Sequence, residues 1–146
     1  MIGGITAGVI QGRAMKVLIA DGSAVVRARL KELLADLQDI ELVGFAKCDS
    51  EAMELVATLK PDVVIADACL PAWNRLDMLR DIKQATPAPV LIVMTIYPYV
   101  EYRDACLERG ADFFFDKACE FGSIALVLKA LSLSRARQTE TALESR

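Results

Sequence analysis

The chain has 146 residues, 54% apolar and 25% charged, a balance that excludes a disordered polymer and suffices for one buried core. Its net charge of −3 and pI near 5.0 exclude a basic nucleic-acid footprint. Histidine is absent, which excludes Ser-His-Asp and Cys-His catalysis, and with four cysteines in no C-x-x-C pair it argues against zinc. The scattered thiols, Cys48, Cys69, Cys106 and Cys119, fit a reducing cytoplasm in which buried cysteine acts as a small hydrophobe.

Residues 1–14 are apolar and glycine-rich, with Arg13 after the apolar run, whereas a secretory signal wants its positive charge before it. The run is too short to span a membrane, and the stretch is expected to be a disordered extension or an upstream start ahead of Met15, with a membrane-touching arm as the alternative. Val17 to Ala20 forms a first strand ending in Asp21-Gly22-Ser23. Ser23 can cap a helix that places Val26, Leu30, Leu33, Leu34 and Leu37 on one face. Leu42 to Ala46 gives a second strand, and Asp49 or Ser50 caps a second helix with Met53, Val56 and Leu59 inward. Lys60-Pro61 closes that helix, because the residue before proline avoids the α region.

The chain is organised around Pro61-Asp-Val-Val-Ile-Ala-Asp67-Ala-Cys-Leu-Pro71. Val63 to Ile65 do not alternate with polar residues, so they read as a strand buried on both faces, with Asp67 at its carboxyl end. A helix with Leu76, Leu79 and Ile82 inward follows and ends before Pro87; Val90 to Met94 is the fourth strand, with Thr95 at its end. Tyr97-Pro98-Tyr99 opens a helix to about Arg109, stopped by Gly110. Phe113 to Phe115 is a short fifth strand followed by Lys117; Phe121 to Leu133 is the last helix, and residues 134–146 a polar tail.

Strands alternating with helices predict a parallel sheet covered on both faces by right-handed crossovers, in the order 2-1-3-4-5. That order puts Asp21 beside Asp67 at the switch point, with Thr95 and Lys117 ending strands on the far side. Two adjacent carboxylates repel unless a cation lies between them, and hard oxygen ligands suit Mg²⁺. Asp67 could then attack a phosphoryl donor, with Lys117 and Thr95 on the phosphoryl oxygens. Each residue also has a plain alternative: Asp21 and Asp67 as turn caps, Thr95 as a strand former, Lys117 as a solvated loop lysine.

The arrangement resembles the response-regulator receiver domain of two-component signalling over residues 15–133. The likeness is carried by Lys16 to Ser23, Pro61 to Pro71, Val90 to Thr95 and Gly110 to Lys117. It implies a flavodoxin-like (βα)5 three-layer sandwich in which Asp67 accepts phosphate from a sensor histidine kinase or phosphotransfer protein. It also implies Mg²⁺ held by Asp21, Asp67 and the backbone carbonyl of Cys69, with phosphoryl sensing by Thr95 and Lys117. Phe114 falls at the family's rotating aromatic position, where plain core filler would look the same.

Four positions depart from the family pattern. Gly22 stands where a second acid usually binds metal directly, which implies weaker Mg²⁺ binding, by on the order of 1–3 kcal/mol. Bulky Ile96 replaces a small residue beside Asp67, Ala118 replaces a proline, and Asn74-Arg75 replaces a glycine. Tyr97, Tyr99 and Tyr102 suit either a partner surface or a cover for the core. The resemblance implies a cytoplasmic receiver acting alone, through protein contacts and not through nucleic acid or membrane, and it leaves a homodimer open. The competing readings are a degenerate, phosphorylation-independent interaction module, supported by Gly22 and Ile96, and a small flavin carrier, opposed by the carboxylate of Asp21.

Overall fold

The computed structural model describes residues 14–67, 76–96 and 99–144, with side chains through 138. Among the described residues ten elements alternate: β1 (Met15–Ala20), α1 (Ala24–Ala35), β2 (Ile40–Ala46), α2 (Asp49–Leu59), β3 (Val63–Asp67), α3 (Leu76–Lys83), β4 (Val90–Thr95), α4 (Val100–Glu108), β5 (Phe113–Asp116) and α5 (Ser123–Glu144). The five strands form one parallel sheet in the order β2-β1-β3-β4-β5, as the sequence predicted.

Alternation within each strand divides the core in two. Val17, Ile19, Val63, Ile65, Ile92 and Met94 face α1 and α5, packing with Leu30, Leu34, Ile124 and Leu128. Leu18, Val64, Ala66, Leu91 and Val93 face α2, α3 and α4, packing with Val56, Leu79, Ile82, Tyr102 and Cys106. Small residues at the carboxyl ends, Ala20, Ala46 and Ala66, let the loops beyond them close over that edge. The central strands β1, β3 and β4 are buried on both faces, which is why their sequences run apolar without alternation.

Several boundaries differ from the sequence reading. β2 begins at Ile40, two residues early, because pairing with Met15 extends the ladder downward. Neither Asp49 nor Ser50 caps α2; Cys48 is its N-cap and makes no side-chain cap bond, while Asp49 and Glu51 sit in the first turn, favourably for the helix dipole. Lys60 closes α2 in the left-handed region at φ 49°, a turn that the following Pro61 enforces by excluding the α region. α4 starts at Val100 with Tyr99 as its cap, and Gly110 ends the turn at φ 107°.

The largest difference is α5, which starts at Ser123 and runs to Glu144, eleven residues into the stretch read as a tail. That stretch is polar but has no glycine or proline to stop a helix, and it is rich in good helix formers such as Arg, Ala, Gln, Glu and Leu. No described helix is long and apolar enough to cross a membrane.

Candidate functional site

The register of the sheet builds the site. Ala20 pairs with Ala66, so the next residues, Asp21 and Asp67, stand side by side at the carboxyl ends of β1 and β3. Asp67 pairs with Met94 and Thr95 with Asp116, which brings Thr95 and Lys117 to the same edge. The Lys117 amide donates to the Thr95 carbonyl at 2.9 Å, tying the loop after β5 to the end of β4.

Lys117 is the cation between the carboxylates. Its Nζ lies 2.8 Å from Asp21 Oδ2 and 2.9 Å from Asp67 Oδ1, with the three side chains only 12%, 1% and 14% exposed. Burial pushes the lysine's pKa down, but its contacts with Asp21 and Asp67 more than offset this and hold it above the ordinary value. The sequence alone left Lys117 open as a solvated loop residue; its burial and double ion pair remove that alternative.

Asp21 is held on every side. Its amide donates to the Ala46 carbonyl at 3.0 Å, its Oδ1 accepts from the Ser23 amide at 2.8 Å, and its own carbonyl accepts from Arg27 Nη1 at 2.8 Å. Ser23 caps α1 as expected, its hydroxyl oxygen accepting from the Val26 amide at 3.3 Å. Arg27 was not singled out in the sequence; its spacing, six residues after Asp21 and one helical turn beyond the cap, was the available signal.

The buried Asp21 Oδ2 faces Lys117 as a close ion pair outside hydrogen-bonding angles, so it keeps a lone pair without an aligned donor. That oxygen, ion-paired to Lys117 and beside a second carboxylate, belongs to a donor set that fits a hard cation such as Mg²⁺, which commonly binds through one or two carboxylates and several waters. Among the described residues no three acids or thiols gather as a metal cage. Gly22 does not need to be glycine: its φ is outside the left-handed region, and a Cβ there would meet only the Lys47 carbonyl oxygen, at 3.5 Å.

Thr95 is fully buried. Phe114 is half-buried against the α2–α4 side of the core, its ring edge-on to Tyr102 at 6.4 Å and 73°. Of the three tyrosines, Tyr102 is core, Tyr99 is exposed, and Tyr97 lies outside the described residues. Cys69, with its expected carbonyl ligand, and Asn74-Arg75 also lie outside them. Ile96, expected to crowd Asp67, is 58% exposed. The Lys117-Ala118 bond is trans; among the described residues Thr86-Pro87 is the cis bond.

The thiols are less uniform than expected. Cys106 is buried and its pKa is pushed up to about 11 by desolvation, only partly opposed by Arg109. Cys48 and Cys119 are exposed instead. The Ser50 hydroxyl lowers the Cys48 thiol, whereas a hydrogen bond to Asp116 raises Cys119.

A doubly covered parallel sheet with a carboxylate pair and a lysine at its switch point defines an α/β domain of the doubly wound class. Residues 17–129 match the response regulator receiver domain family, and the chain belongs to it. It is 36% identical over 123 residues to a protein-glutamate methylesterase/protein-glutamine glutaminase of Pyrococcus horikoshii, covering 84% of this chain and 30% of that protein. A Methanococcus maripaludis relative of the same name is 32% identical over 133 residues, covering 90% and 36%. The chain therefore spans about a third of the length of the curated relatives it matches, and the match is to their receiver portion.

Among solved structures, the response regulator domain of Thermotoga maritima CheB superposes with a TM-score of 0.67 at 30% identity, covering 87% of this chain and 96% of that one. The signal receiver domain of an HD domain-containing protein from Pseudomonas fluorescens Pf-5 gives 0.72 at 25% identity, covering 86% and 99%. The fold is thus the flavodoxin-like receiver fold of two-component signalling.

Proposed function

We propose that this receiver is switched by phosphorylation of Asp67, supplied by a sensor histidine kinase or a phosphotransfer protein. The observation that carries the reading is the Lys117 ammonium shared by Asp21 and Asp67 at 2.8 and 2.9 Å. It holds two largely buried carboxylates together, and it supports the reading because a phosphoryl group on Asp67 needs a positive charge within reach.

In the transfer, an Asp67 carboxylate oxygen attacks the donor's phosphorus, the phosphorus–nitrogen bond breaks, and its electron pair leaves with the donor imidazole. An acyl phosphate remains on Asp67. Lys117 moves its contact from the carboxylate to a phosphoryl oxygen, and the Thr95 hydroxyl donates to another. Asp21 and Asp67 would hold Mg²⁺, with the Cys69 carbonyl an expected further ligand, and bound there the ion neutralises charge on the phosphoryl group. Because the Lys117 amide bonds the Thr95 carbonyl, a shift of either residue is passed to β5, where Phe114 packs on Tyr102. The output is a change of protein contacts in the cytoplasm, drawn from a pre-existing two-state equilibrium.

A second reading, a receiver that acts without phosphorylation, is supported by Gly22 and by Lys117 already serving as the resident cation. Intact mass after incubation with acetyl phosphate and Mg²⁺ separates the two. One added phosphoryl group in the wild type and none in Asp67→Asn is the expected result. An unmodified wild type, also after exposure to a phosphorylated histidine kinase, would establish the second reading.

A further inference from the structure

The loop after β1 combines a fixed carboxylate with the most permissive residue. Gly22 follows Asp21 directly, yet neither its φ nor the space around it requires glycine. The loop therefore carries glycine's backbone freedom with no conformational use for it. For a cation site this matters, since the carboxylate's direction is inherited from the backbone that bears it. The Arg27 guanidinium, on the second turn of α1, reaches back to the Asp21 carbonyl at 2.8 Å. The contact spans a sequence separation of six on the side of Asp21 that faces Gly22, while the Ala46 carbonyl holds the other side.

We propose that Arg27 is a positioning residue for the cation site: its grip on the Asp21 backbone carbonyl steadies the pliable Gly22 loop from which the Ser23 amide holds Asp21 Oδ1, and so helps fix the direction of the carboxylate. This rests on the reading of Asp21 and Asp67 as the cation's ligands and goes beyond it. Its sign is what makes it distinct. As a bare charge, a guanidinium near a cation site repels the cation, so removing it should tighten binding. As a clamp, its removal should weaken binding, as loss of the groups that orient metal ligands generally does.

The test uses Mg²⁺ titrations followed by calorimetry and by the amide resonances of Gly22 and Ser23, on the full chain and on Arg27→Met, Arg27→Lys and Gly22→Ala/Arg27→Met. Arg27→Met is expected to weaken Mg²⁺ binding about tenfold and to speed hydrogen exchange at the Ser23 amide. Arg27→Lys, which keeps the charge and part of the reach, should fall between and serves if the methionine variant folds poorly. Gly22→Ala should restore part of the loss, because alanine narrows the freedom that the clamp suppresses. Unchanged or tighter binding in folded Arg27 variants overturns the proposal and leaves the cation reading standing. A wild type that binds no Mg²⁺ overturns both.

Discussion

Lys117→Met tests the centre of the site. The substitution keeps the length and apolar stem of the side chain and removes its charge, leaving Asp21 and Asp67 side by side with 1% and 14% exposure. Breaking a buried ion pair by deleting one partner costs about 3–5 kcal/mol. The low end, about 3 kcal/mol, applies here because the outer edge of Asp67 reaches water. For a domain of this size that is a fall in Tm of about 10 °C. The pH dependence gives a second reading of the same pair. The folded-state pKa of Lys117 lies above its ordinary 10.5, so the pair's stabilisation is whole below 10.5 and is lost as pH rises through the higher folded value. Urea unfolding of both proteins from pH 7 to pH 11 should therefore show a wild-type advantage that shrinks at the alkaline end. Added Mg²⁺ should stabilise the variant more than the wild type, since it replaces the missing cation. Equal stability of the two proteins at pH 7, or a gap that does not narrow above pH 10.5, would refute the reasoning.

Other substitutions read separate parts of the argument. Gly22→Asp adds a carboxylate where a Cβ meets only ordinary contact, so Mg²⁺ affinity should rise about tenfold, measured by calorimetry. The same variant should be slightly less stable without the ion, because three acids then share one lysine. Gly110→Ala forces a Cβ to 2.8 Å from Lys83 Cγ at φ 107°, and chemical denaturation should show a loss of about 1–3 kcal/mol. Asp67→Asn should fold normally and take up no phosphoryl group from acetyl phosphate, read by intact mass.

Much of the fold was written in local pattern. Val63 to Ile65 announce a strand buried on both faces because nothing polar interrupts them, and the alternation of strand and helix leaves little choice but a covered parallel sheet. The order of the strands then brings Asp21, Asp67, Thr95 and Lys117 to one edge before any coordinate is known. Stops set by backbone chemistry were legible too: Pro61 after α2 and Gly110 after α4 act within one or two residues of themselves. The end of α5 was not, because a polar stretch without glycine or proline carries no stop signal and polarity alone does not end a helix.

The roles within the site needed the tertiary structure. Whether Lys117 floats in solvent or bridges two carboxylates depends on how deeply the loop after β5 settles against β4, which no local pattern encodes. Tyr99 and Tyr102 look alike in sequence, yet three positions along α4 turn one outward and the other into the core. Arg27 reads as one more surface arginine until α1 folds back over the end of β1 and sets its guanidinium on the Asp21 carbonyl. Sequence determined which chemical groups reach the edge, since each stands at the carboxyl end of a strand that its own local apolar run marks out. Only packing decided which of them touch, because an ion pair or a clamp is fixed by distances between segments far apart in the chain.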